Sequence, residues 1–225
     1  MPTTAWQALE QRVRTRPSDP LVTFIAGDGA RTELSAVTFA NNVAKAANAL
    51  ADEVGAGSRI GLHLPWHWQR AVWAMACWAA DCTLVPEGEP GDVDLVIAGP
   101  DEAAALIGRG EVWVVSLHPL GLAQPVPAGS QSAATIAMAQ PDALLVPSTG
   151  DSPALGAHDQ ARLLGIAAGR DVPARFAIVG LPPDPLDRWL LPTLVPLAHD
   201  ASIVMLESPD DAHRILAAED AVLLA

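Results

Sequence analysis

Lysine is almost missing from this sequence. Lys45 is the only one among 13 basic residues, so the other twelve are arginines, and they face 26 acidic side chains. The resulting charge of −13 gives no electrostatic footprint for nucleic acid, nor for an anionic membrane surface. Cysteine is scarce too. Cys77 and Cys82 form no CxxC pair and are too few for a disulfide scaffold, so they are expected as buried, reduced thiols. Residues Met1 to Arg16 carry no apolar run of the signal-peptide kind. The most apolar stretch, Leu64 to Ala80, is broken by Pro65, His67, Gln69 and Arg70 and is too short to span a bilayer. Half the residues are apolar, which excludes a disordered chain, and 225 residues suffice for one large or two small domains. These readings predict a soluble, cytoplasmic, globular protein.

What is present alternates. Thr4 to Gln7 fits a capping box ahead of Trp6, Leu9 and Val13, a short amphipathic helix that ends before Pro17. Leu21–Ala26 reads as a strand and Gly27-Asp28-Gly29 as a turn. Ser35 is placed to cap a long helix with Phe39, Val43, Ala47, Leu50 and Val54 on one face, ended by Gly55. Arg59–Leu64 predicts a strand, and a helix apolar nearly all round runs from about Trp66 to Ala80. Short strands follow at 83–85, 93–98 and 111–116, with a helix over 100–107 and a loose Pro/Gly/Ser segment near 118–132. The second half predicts strands at Ala143–Val146, Arg175–Val179, Ala201–Leu206 and Ala221–Ala225. Helices are expected over 157–168, after Asp184-Pro185, and after Ser208. The expectation is an α/β fold: a mostly parallel sheet flanked by helices, in a single domain over 1–225 with a possible joint near 118–132.

Several constellations imitate chemistry. His63 and His67 stand four apart as metal ligands would, yet Pro65 breaks the helix that would align them. Gly55-Ala-Gly57-Ser-Arg-Ile-Gly61 resembles a dinucleotide fingerprint, but it follows a helix and precedes a strand, the wrong order. Ser148 and His158 lack the elbow of a nucleophile triad. Trp66 and Trp68, beside His67 at a strand end, are expected at the surface. Ligands collect at the C-terminal ends of parallel strands, so Trp66, His67, Trp68 and His158 are expected to line one crevice with the loop after Val146. No metal site is expected.

Leu34–Leu50, LSAVTFANNVAKAANAL, resembles the first conserved helix of the AMP-forming adenylating enzymes: acyl-CoA synthetases, peptide-synthetase adenylation domains and luciferases. Gly57–Pro65 resembles their GDRVALLLPN strand and turn, and Trp78–Pro86 their LKAGAVVVPL segment, with Asp81 where glycine is usual. Arg175–Glu207 is similar to their later strand-helix-strand unit. Within this group, Arg31–Ser35 and Asn42–Asn48 resemble the ERTELS and NWVAKTANLL runs of a set of short actinobacterial proteins, the TIGR03089 type. The resemblance implies the front part of a large adenylating N-terminal domain.

The same resemblance implies a phosphate loop reading TSGTTGxPKG. The chain has Pro147-Ser148-Thr149-Gly150-Asp151-Ser152-Pro153-Ala154 there, with Ala154 near the place of the lysine and Asp151 adding negative charge. Ser148, Thr149, Gly150 and Ser152 are the weak candidates for holding a phosphate, since a bare amide loop ahead of a helix can bind an anion. The later motifs and the C-terminal domain fall beyond Ala225, and Lys45 matches a non-catalytic helix position. Arginine does not replace a compact ammonium at such a site. The expectation is therefore a non-catalytic, pseudoenzyme-like protein with no required cofactor, ATP or AMP remaining possible ligands. A homodimer or a protein partner is expected to cover the truncated face. The alternatives are a residual nucleotide or acyl-adenylate binder, or half of a split ligase completed by another chain.

Overall fold

A computed structural model describes residues 2–86, 92–108 and 110–224. Strands and helices alternate into two five-stranded sheets. The first contains β1 (Pro20–Ile25), β2 (Arg31–Ser35), β8 (Arg175–Val179), β9 (Ser202–Leu206) and β10 (Val222–Leu223), in the order β10-β8-β9-β1-β2. The second contains β3 (Arg59–His63), β4 (Thr83–Val85), β5 (Leu95–Ala98), β6 (Glu111–Val114) and β7 (Gln131–Ser132), in the order β4-β3-β5-β6-β7. Every pairing between these strands is parallel except β1 with β2. The α/β class expected from the alternation is the class observed.

The helices are α1 (Ala5–Thr15), α2 (Ala36–Glu53), α3 (Trp68–Ala79), α4 (Pro100–Leu106), α5 (Ala133–Met138), α6 (Gln160–Ala168), α7 (Asp187–Leu190), α8 (Leu194–Ala198) and α9 (Ala212–Glu219). Their starts follow local chemistry. Thr4, Ser35 and Asp159 each accept a hydrogen bond from a backbone N–H in the first turn of α1, α2 and α6. Helix α3 lies between the sheets, and all twelve of its residues are buried. One core therefore joins both sheets through α2 and α3, from Phe24 and Ile203 to Leu62 and Trp113. Burying side chains as large as Trp73 and Trp78 contributes roughly 1.5–3 kcal/mol each. Smaller clusters under α4 and α9 cover the outer faces.

Arg70 sits in this central helix, fully buried. Its Nη1 donates to the Leu64 carbonyl at 2.6 Å and its Nε to the Arg188 carbonyl at 3.4 Å, and the guanidinium lies 3.9 Å from the Trp189 ring centre. Leu64 follows β3 of one sheet, whereas Arg188 and Trp189 belong to the crossover between β8 and β9 of the other. One side chain thus pins the two sheets together.

Three expectations change. The turn at Gly27–Gly29 closes a hairpin, so the polar run Arg31–Ser35 is a strand, paired with β1 from Ile25↔Arg31 to Pro20↔Ser35. Its alternation is too charged to read as a strand in the sequence. The expected strand at Ala143–Val146 is not formed, and Leu145 and Val146 are 64% and 69% exposed. The buried Asn48 of α2 captures that backbone instead. Its Nδ2 donates to the Pro141 and Ala143 carbonyls, and its Oδ1 accepts from Leu145 N–H. The central helix begins at Trp68 and not Trp66, because His67 caps it: His67 Nδ1 accepts from Gln69 N–H. Among the described residues no helix is long and apolar enough to cross a membrane.

Candidate functional site

The loop that resembles a phosphate cradle is folded shut. It packs at the C-terminal end of α3, where Asp81 takes the left-handed conformation with φ +59°. Glycine is the usual residue in that conformation, and aspartate is among the few others that tolerate it. Its side chain is used as a latch. Asp81 Oδ1 accepts from Ser148 Oγ and Oδ2 from Thr149 Oγ1, both at 3.0 Å. Ser148 Oγ in turn accepts from Gln160 Nε2 at 2.8 Å and from Gly150 N–H at 3.0 Å. Gln160 is buried, and its other contacts are Ala5 N–H and the Trp78 carbonyl. Gly150, at φ +79°, turns the chain against Thr4, so a Cβ there would come within 3.2 Å of the Thr4 methyl. Ser152 is half-buried.

The rest of the loop docks beside the sheet as a fragment of an edge strand. Leu155 bridges to Leu84 in parallel, and Thr83 Oγ1 donates to the Pro153 carbonyl at 2.6 Å. Ala154, which stands near the place of the family lysine, is buried in the shared core. Its carbonyl accepts from the Trp78 indole N–H at 2.9 Å and from Leu84 N–H. The hydroxyls that would face a phosphate are therefore donated to a carboxylate, and a fixed negative charge lies beneath the loop. Lys45, the lone lysine, pairs with Asp142 at 2.8 Å.

Of the four crevice candidates, only His158 lies beside this loop. Trp66, His67 and Trp68 follow β3 at the N-terminal end of α3, while Asp81 follows its C-terminal end. Twelve helical residues place the two ends about 18 Å apart. The surface expected for Trp66 and Trp68 is also corrected: they are only 5% and 3% exposed, and their indole N–H groups are buried without a hydrogen-bond partner. Packing, not recognition, accounts for them, because both belong to the core that joins the two sheets. His158 is exposed beside the loop, and its backbone closes the turn through Leu155.

His67 is a neutral structural group. Phe24 meets its ring edge-on at 4.4 Å, a hydrogen bond ties it to the Leu117 backbone, and burial pushes its pKa down to about 4. The ordinary value is near 6.5, so the unfolded chain takes up a proton that the folded chain resists. Stability carried by the neutral ring is complete above pH 6.5 and is lost as the pH falls from 6.5 to 4. The loss approaches about 3 kcal/mol at the acid end. Urea unfolding at pH 7.5, 5.5 and 4 should show this acid loss, and His67→Asn, which keeps a capping acceptor, should remove most of it. Equal acid sensitivity in both proteins would disprove the assignment.

Burial raises both thiols, that of Cys82 to about 12, so neither is a nucleophile at neutral pH. Among the described residues no group of three or more His, Cys, Asp or Glu side chains could hold a metal.

No family model matches the chain. A curated relative, a TIGR03089 family protein from Mycobacterium tuberculosis, is 35% identical over 221 residues, covering 91% of this chain and 89% of the relative. Solved structures with the same fold include an acyl-CoA synthetase from Brucella canis, with a TM-score of 0.75 at 15% identity over 98% of this chain. Acetoacetyl-CoA synthetase from Streptomyces lividans gives 0.73 at 15% identity over 97%. Coronafacic acid ligase from Pectobacterium brasiliense gives 0.68 at 14% identity over 95%. The chain spans 46%, 41% and 47% of those three proteins, less than half of each, and at such identities the likeness is one of fold.

Proposed function

The chain belongs to the TIGR03089 family, and from the latched loop we propose that it is a non-catalytic member of the AMP-forming ligase fold that works through protein association. The carrying observation is the Asp81 carboxylate, bonded to both Ser148 and Thr149. Gripping a triphosphate takes cations and free N–H or O–H donors aimed at the phosphates. Here both hydroxyls are engaged, the loop has no lysine, and Asp81 and Asp151 would repel an anion. The amide of Gly150 is occupied as well, by Ser148 Oγ.

An associating role is supported by large apolar side chains left in water. Leu120, Leu122 and Met138 are 77%, 49% and 62% exposed and border one hollow with Lys45 and Trp73. Exposed apolar surface of this kind is a common mark of interaction sites.

Calorimetric titration with Mg-ATP, AMP and a non-hydrolysable acyl-adenylate analogue tests the first half of the proposal. We expect no saturable heat up to millimolar ligand, and a Kd below about 100 μM for any of the three would refute it. Light scattering across a hundredfold concentration range tests the second half. A mass that stays monomeric throughout, with no partner recovered by cross-linking in cells, would leave association unsupported.

A further inference from the structure

Among the described residues α9 is the one helix with no buried residue. Ala212, Ile215 and Leu216 share one of its faces at three- and four-residue spacing, and all three are half-buried. They pack on a small cluster of Ile25, Ala177, Val204 and Leu206, separate from the main core. Both ends of the helix are irregular. Asp211 and Asp220 flank it at φ +55° and +49°, the left-handed region that glycine usually fills, and no side chain caps its first turn. A gap of about 150 Å³ separates its start from the Gly27–Gly29 turn, with Ile25, Arg214 and Ile215 in its lining. Strand β10 follows for two residues, both exposed.

The strongest tie between this segment and the sheet is one carboxylate. Glu219, in the last turn of α9, accepts from Arg31 Nε at 2.6 Å, from Arg31 Nη2 at 3.1 Å and from Arg175 Nη2. Arg175 Nε also donates to the Glu219 carbonyl at 2.8 Å, and its terminal nitrogens reach Ser202 Oγ and Thr23 Oγ1. Arg31 stands on β2 and Arg175 on β8, with β9 and β1 between them in the sheet, so Glu219 ties α9 across four strands. The two guanidiniums, Arg31 foremost, hold its carboxyl below the ordinary range. Beyond this tie, β10 adds its pairing with β8 and the bond from Leu224 N–H to the Ala177 carbonyl at 3.0 Å. A segment with few buried apolar side chains and one ionic anchor opens at a lower free energy than the core beneath it.

We propose that residues 211–224 form a releasable strap with Glu219 as its clasp. The strap lifts as a unit while both sheets stay folded, and its release bares Ile25, Ala177, Val204, Leu206 and the outer edge of β8. Hydrogen exchange of the full chain at neutral pH, read by mass spectrometry of its peptides, tests this. Amides of α9 and β10 should share one level of protection, about a hundredfold below that of β9. Glu219→Gln keeps the shape of the side chain and removes its charge. It should lower the protection of the strap at least tenfold further and leave β9 unchanged. Arg31→Met takes away the partner on the far strand alone and should act in the same direction to a smaller degree. Protection of α9 equal to that of β9 would overturn the proposal. So would a Glu219→Gln chain that loses protection in α9 and β9 alike or unfolds as a whole, and so would unchanged exchange of α9 in that variant. None of these outcomes depends on whether the latched loop binds ATP.

Discussion

Replacing Ala154 with lysine is expected to destabilise the protein by about 3 kcal/mol without conferring ATP binding. The substitution restores the missing amine at its nominal place in the loop. That place is now interior: Ala154 is 1% exposed, and its backbone is engaged with Trp78, Leu84 and His158. An ammonium there leaves water with no carboxylate waiting for it, so the loop must open or the charge must be buried. For a chain of this size the loss corresponds to a melting temperature lower by about 10 °C. Thermal unfolding gives the stability, and pyrophosphate exchange gives the activity. A variant that melts like the parent and exchanges pyrophosphate above background would show that the loop is an open cradle lacking one side chain. The companion variant Asp81→Asn keeps a residue suited to φ +59° but weakens the charge-assisted latch, and should cost about 1–2 kcal/mol.

Arg70→Ala is expected to cost more, about 3–5 kcal/mol, because it opens a cavity between the sheets and orphans two carbonyls at once. Leu64 and Arg188 lie on opposite sides of the central layer, and the guanidinium donates to both while stacking on Trp189. Two further variants separate the contributions. Arg70→Met restores most of the volume and should recover part of the loss. Arg70→Lys keeps charge but has no planar fork and no stack, and should be worse than Met because an ammonium remains buried. Guanidinium unfolding would measure all three. If Arg70→Ala unfolds within 1 kcal/mol of the parent, the side chain is not what joins the sheets.

These two residues also mark the limit of reading the chain linearly. Arg70 looks like a flaw in an apolar helix, and only its position between two sheets makes it a staple. Ala154 looks like a lost lysine in a surface loop, and only the docking of Leu155 on Leu84 makes it part of the core. The strand end beside Trp66 and Trp68 predicts a surface position for both. Both lie in the core that joins the sheets, and Trp68 is further covered by Gly121, remote in sequence, which lies against its ring.

Most of the alternation of strands and helices, the caps at Thr4 and Ser35, and the scarcity of cations follow from the sequence itself. Periodicity, capping and charge need only neighbouring residues, and those are written next to one another. The fate of the 147–154 loop, the capture of 141–145 by Asn48 and the stapling of the two sheets by Arg70 were decided by tertiary structure. Each depends on which distant group meets a hydroxyl, a backbone amide or a guanidinium: Asp81 and Ser148 are 67 residues apart, and Asn48 and Leu145 are 97 apart. Such pairings are selected by packing in three dimensions, and no local pattern along the chain encodes them.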